Sequence, residues 1–146
     1  MMSAVTQKKD LVRILIIEDM PSVRQWEKMI LDKIGQFDIH EANDGQEALT
    51  IMDTLHKESQ HIHLILCDWR MPELDGLMLF SEIKKYSYLK NIPFIMISAE
   101  SDPKLILKVL ENGVDHYITK PFSEKELQEK IDLALKKSPH HPHLIR

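Results

Sequence analysis

Five short apolar runs alternate along the chain with five longer segments whose apolar residues recur at helical spacing. The runs fall at residues 11–17, 37–42, 62–67, 92–98 and 114–119. The helical patterns cover about 20–34, 44–58, 75–88, 102–112 and 123–137. Five β-α units in so short a chain predict an α/β fold, a doubly wound, five-stranded parallel sheet with helices on both faces.

Helix boundaries carry their own signals. Pro21 suits a first helical turn, because the N–H it lacks would have no partner there. Val23, Trp26, Ile30 and Ile34 then repeat at helical spacing, which places Trp26 in the core, and Gly35 offers a left-handed stop. Asp44 to Glu47 and Ser123 to Glu126 read as capping boxes. Asp102-Pro103 opens the fourth helix and Gly113 ends it. That helix is heavily apolar at Leu105, Ile106, Leu107, Val109 and Leu110. Three consecutive apolar residues span about 200° of a helix, so Leu105 or Ile106 is expected to stay partly exposed.

Length and composition narrow the class. The 146 residues, 43% hydrophobic and 29% charged, suit one globular domain. Its expected extent is residues 10–137, with an extension at 1–9 and a flexible Pro/His-rich tail at 138–146. The net charge of −4 and the lack of a basic stripe argue against nucleic acid as a partner. No export signal is visible in residues 1–9, and no apolar run nears the ~20 residues that span a bilayer. The single cysteine, Cys67, reads as a buried core residue, and a cytoplasmic location is expected. His140, His141 and His143 offer transition-metal ligands, but a short Pro/His tail is more often disordered.

The chemistry sits where strands end. The first run ends in Glu18-Asp19, the third in Asp68, the fourth in Ser98 and the fifth in Lys120. Open α/β sheets place ligands at this C-terminal edge. If the strands are parallel neighbours, three carboxylates converge and repel, and a divalent cation relieves them. Oxygen-only donors favour Mg²⁺, with Mn²⁺ the alternative. A hydroxyl, an ammonium and a metal together can bind the oxygens of a phosphoryl group. Asp68 then becomes a nucleophile toward phosphorus.

Four stretches carry a family resemblance: residues 16–19 (Ile-Ile-Glu-Asp), 67–76 (Cys-Asp-Trp-Arg-Met-Pro-Glu-Leu-Asp-Gly), 97–100 (Ile-Ser-Ala-Glu) and 117–122 (Tyr-Ile-Thr-Lys-Pro-Phe). In this order and spacing they resemble the receiver domain of two-component response regulators, especially its stand-alone members. The resemblance implies strand order 2-1-3-4-5. It implies that Asp68 accepts a phosphoryl group from a histidine kinase. Glu18, Asp19, Asp68 and the backbone carbonyl of Arg70 would hold Mg²⁺, while Ser98 and Lys120 bind phosphoryl oxygens. Tyr117 would be an aromatic switch that turns inward, and Lys120-Pro121 a cis peptide. Arg70 and Glu100 occupy variable positions that flank the site. Signalling is implied on the fourth helix, fifth strand and fifth helix, and the apolar excess of the fourth helix makes Leu105 and Ile106 the expected contacts.

The expected partners are a histidine kinase or histidine phosphotransfer protein and a downstream target. The chain is expected to be a monomer that phosphorylation can dimerise, and a switch in place of a true enzyme. The rival reading is an aspartyl-phosphate phosphatase. Enzymes of that kind resembling haloacid dehalogenases need an acid two residues after the nucleophile, where this chain has Arg70. A nucleotide-binding protein would need a glycine-rich loop, and the four glycines are scattered.

Overall fold

The computed structural model describes residues 10–136. The expected extension and the His140, His141 and His143 tail lie outside the described residues. Strands β1 (Val12–Ile17), β2 (Phe37–Ala42), β3 (Leu64–Asp68), β4 (Phe94–Ser98) and β5 (His116–Thr119) alternate with five helices. These are α1 (Pro21–Ile34), α2 (Gly45–Lys57), α3 (Gly76–Ile83), α4 (Pro103–Glu111) and α5 (Glu124–Lys136). All strand pairs are parallel, in the order β2-β1-β3-β4-β5.

The sheet is buried on both faces because its central strands carry apolar side chains at consecutive positions. Leu15, Ile17, Ile65, Cys67, Phe94 and Met96 point into one core, walled by Met52 of α2, Phe80 of α3 and Val109 of α4. Ile14, Ile16, Leu64, Leu66, Ile95 and Ile97 point into the other, closed by Leu31 of α1 and Ile131 of α5. The strand period of two sends alternate residues to opposite cores, so an unbroken apolar run is what this position demands. Cys67 is fully buried, as expected, and burial pushes its thiol well above the usual range.

Capping follows the sequence closely. The N–H of Glu126 donates to Ser123 Oγ at 3.0 Å, and Glu126 Oε1 accepts from Ser123 N–H at 3.0 Å, a complete capping box. Asp44, Asp75 and Asp102 each accept a backbone N–H of the following turn.

Three expectations are corrected. Gly35 is extended, with φ −178° and ψ −169°, and provides no left-handed stop. Its N–H closes on Leu31 O at 3.1 Å, and the chain enters β2 only two residues later. Helix α3 ends at Ile83, five residues before the expected Tyr88. After Leu79, Phe80 and Ile83, the next inward position falls on Ser87, which has nothing apolar to bury. The chain there becomes successive turns that bury Leu89 and Ile92 instead. Finally, Trp26 is 38% exposed, and its ring lies on Phe122 at 4.8 Å instead of in the core. The buried positions of α1 are Glu27, Ile30, Leu31 and Ile34.

Candidate functional site

Parallel pairing of β1 with β3 brings two strand ends together. Ile17 pairs with Cys67, so Glu18 and Asp68 are the next residues out on adjacent strands. Carboxylate oxygens of Glu18, Asp19 and Asp68 all lie within 4.8 Å of one another. Glu18 and Asp68 are buried and Asp19 is half-buried.

Lys120, just past β5, reaches back across the site. Its ammonium lies 2.9 Å from Glu18 Oε1 and 3.3 Å from Asp68 Oδ1. The peptide that follows it, Lys120-Pro121, is cis. The backbone N–H of Lys120 donates to Ser98 O at 2.8 Å, which ties the lysine to the end of β4. Ser98 is buried, and its Oγ accepts from Glu100 N–H at 3.1 Å. The loop after β3 packs as closely. A Cβ added at Gly76 would lie 2.6 Å from Asp68 O and 3.0 Å from Trp69 Cα, so only glycine fits there.

The charges are unequally matched. Burial first, and Glu18 second, push Asp68 up to about 6, against the lowering effect of Lys120. Burial works against the Lys120 ammonium, but Glu18 and Asp68 outweigh it and hold the lysine above its ordinary value. One lysine thus offsets part of the charge of three acids. The residues fit a hard divalent cation, because the donors are all oxygen and their mutual repulsion is only partly relieved.

Around the mouth, Arg70 and Glu100 pair at 3.5 Å. The Arg70 guanidinium also lies 4.2 Å above the ring of Trp69, which is buried. Tyr117 is buried, and its hydroxyl donates to Glu100 O at 2.8 Å. Its ring meets Trp69 edge-on at 6.2 Å. In this structure the tyrosine is already turned inward. On α4, Leu105 and Ile106 are half-buried against the core, while Leu107 and Leu110 are the exposed apolar residues.

Sequence reasoning missed Glu27. It is 2% exposed on the inner face of α1, and burial first, then Glu18, push its carboxyl up to about 8. The signal was present. Glu27 lies four residues after Val23 and three before Ile30, the spacing of the buried stripe, but the apolar Trp26 drew the assignment.

A doubly wound parallel sheet with acids and a lysine at its C-terminal edge is a ligand-site architecture of open α/β proteins. The chain belongs to the response regulator receiver domain family, which matches residues 14–132. It is 33% identical over 124 residues to the chemotaxis protein CheY1 of Helicobacter pylori, covering 85% of this chain and 97% of that protein. It is also 33% identical over 131 residues to the chemotaxis protein CheY-3 of Vibrio cholerae, covering 90% and 95%. Among solved structures, the receiver domain of the Francisella response regulator 1452 superposes with a TM-score of 0.75 at 32% identity, covering 86% of this chain and 98% of that one. Among the described residues, no helix is long and apolar enough to cross a membrane.

Glu27 gives a pH prediction. Between the ordinary 4.5 and about 8, folded Glu27 keeps a proton that the unfolded chain has lost. The unfolded state then binds fewer protons, so this group's contribution to stability is complete below 4.5 and falls as pH rises through 8. Glu27→Gln cannot titrate. Its stability relative to wild type is expected to rise between about pH 5 and pH 8, by at most roughly 3 kcal/mol at pH 7. Urea unfolding of both proteins in Mg²⁺-free buffer checks this. A difference that does not change with pH would refute it.

Proposed function

We propose that this chain is a phosphorylation-controlled switch of a two-component system, in which Asp68 is the phosphoacceptor. The observation that carries the reading is the Lys120 ammonium set between Glu18 and Asp68 at 2.9 and 3.3 Å, inside a three-acid cluster. In the proposed reaction an Asp68 carboxylate oxygen attacks phosphorus. The bond from phosphorus to the donor, a phosphohistidine nitrogen of a histidine kinase or phosphotransfer protein, breaks with its electron pair leaving on that nitrogen. Lys120 neutralises charge on the transferring group, and the Ser98 hydroxyl donates to one of its oxygens. Glu18, Asp19, Asp68 and the Arg70 carbonyl would hold Mg²⁺, which supplies charge neutralisation at the phosphoryl oxygens. Cytoplasmic location accords with this role.

The phosphatase reading has no observation in its favour. Its acid/base position is Arg70, whose guanidinium is held between Trp69 and Glu100 and has no acceptor atom with which to act as a base.

The first prediction concerns the acceptor. Acetyl phosphate with Mg²⁺ is expected to add one phosphate to the wild type and none to Asp68→Asn, read by intact mass. A stable phosphate on the mutant would move the acceptor elsewhere.

The Arg70–Glu100 pair lies across the mouth of the site and is expected to hinder the water that hydrolyses the acyl phosphate. Arg70 is largely exposed, so the ion pair itself contributes under about 1 kcal/mol to stability. The double variant Arg70→Asn, Glu100→Ala is expected to lose phosphate severalfold faster. Equal decay rates would remove this gate.

Output is proposed to run from Ser98 through Tyr117 to α4. Phosphate on Asp68 stabilises the state with Ser98 drawn in and Tyr117 inward, a population shift between two forms. Leu105 and Ile106 back this surface and Leu107 is its exposed apolar residue. Leu107→Glu is expected to spare phosphorylation and to weaken capture of the downstream target at least tenfold in pull-down titrations. Unchanged capture would place the target on another face.

A further inference from the structure

Arg24, on the first turn and a half of α1, makes a set of bonds that no part of the phosphoryl chemistry uses. Its Nη1 donates to the backbone carbonyl of Glu18 at 2.7 Å. The same nitrogen donates to Asn43 Oδ1 at 2.7 Å, and Nε donates to Glu41 Oε1 at 3.2 Å. Its side chain is only 14% exposed. One guanidinium therefore joins three segments: the loop that carries Glu18 and Asp19, the end of β2, and the approach to α2.

Each anchor is itself held. Lys28 Nζ fixes the second oxygen of Glu41 at 2.9 Å. The Asn43 amide donates to Glu47 Oε1 at 3.1 Å, and the Glu47 N–H in turn donates to Asp44, the cap of α2. On the other side, the Glu18 N–H donates to Ala42 O at 3.1 Å. Glu18 thus has its N–H fixed by β2 and its carbonyl fixed by Arg24. The peptide that joins Glu18 to Asp19 is held at that carbonyl, and it leads directly to the half-buried Asp19 carboxylate.

We propose that Arg24 is a positioning residue of the metal site: its fork fixes the Glu18–Asp19 peptide and so sets the affinity of the acid cluster for a divalent cation. The inference rests on the reading of Glu18 and Asp19 as Mg²⁺ ligands. Preorganised ligands bind more tightly because less freedom is lost on binding. A lysine keeps the charge of Arg24 but has no planar fork to reach Glu18, Asn43 and Glu41 together. Charge and position therefore have opposite signatures. A positive charge near the site opposes a cation, so removing it tightens Mg²⁺ binding if charge is all that Arg24 supplies.

The test is isothermal titration of Mg²⁺ into wild type, Arg24→Lys, Arg24→Gln and Asn43→Ala. Acetyl phosphate phosphorylation is then followed at saturating Mg²⁺. Arg24→Lys is expected to weaken Mg²⁺ roughly three- to tenfold, Arg24→Gln to weaken it despite the lost positive charge, and Asn43→Ala to fall between wild type and Arg24→Lys. The phosphorylation rate of Arg24→Lys at saturating Mg²⁺ is expected to stay within about twofold of wild type, since the reacting groups are untouched. Unchanged Mg²⁺ affinity in Arg24→Lys, or tighter binding in Arg24→Gln, overturns the proposal. So does a loss of thermal stability with no change in affinity, because that is a structural role alone. The metal reading fails separately if wild type and Asp19→Asn take up Mg²⁺ equally.

Discussion

The structure turns on an electrostatic constraint: three carboxylates and one ammonium share the C-terminal edge of a sheet whose central strands are mostly apolar. Glu18 and Asp68 are held there by the strands that carry them, and those strands are fixed by cores on both faces. The acids cannot move apart without breaking parallel pairing or pulling apolar side chains out of a core. The repulsion is therefore built in. It shows in Asp68, which burial and Glu18 hold near 6 although a lysine is 3.3 Å away. A site in this condition gains most from a ligand that brings positive charge, or from protonation.

Glu27 extends the same constraint into the core. A buried acid on the inner face of α1, beneath the cluster, takes its proton from solvent instead of adding another charge. Leucine or valine at this position would pack the core without such a cost. The carboxyl instead stands on the helix that follows the Glu18–Asp19 loop, where burial first, and Glu18 second, favour its protonated form. Arg24, one turn earlier on the same helix, lies on the side toward β2 and ties that loop down. Helix α1 thus contributes both polar elements beneath and beside the site, although neither touches a transferred group.

Much of this was legible in the sequence because the relevant periods are short and strong. Continuous apolar runs gave the strands, and residues 37–42 agree with β2 end to end. Polar residues that end such runs mark the sheet edge, so Glu18, Asp19, Asp68, Ser98 and Lys120 are assembled from the sequence alone. The misses share one cause. A helical stripe is read by apolarity, and that reading gave Trp26 a core position which belongs to Glu27, only one residue away. The expected helix over 75–88 overruns α3 by five residues, because Ser87 holds the place where the core face would continue. A single arginine on a helix says nothing about the carbonyl it reaches; the bond from Arg24 to Glu18 O exists only once β2 and the β1–α1 loop lie side by side.

The ring of contacts at the mouth ties the chemistry to the surface. Arg70 lies on Trp69 and pairs with Glu100; Glu100 accepts the Tyr117 hydroxyl through its carbonyl; Tyr117 meets Trp69 edge-on. Each contact alone is weak, with the ion pair partly in solvent. Together they close a loop in which the residues after Asp68 and after Ser98 share partners. On the proposed reading, a phosphoryl group on Asp68 would act on both of those segments, since each begins at the site. The loop can only follow by repacking as a unit, because Trp69 and Tyr117 are buried and close-packed. Under the proposed function, coupling between the acid cluster and the α4–β5 face would need no dedicated relay beyond two buried rings and the two strand ends that carry them.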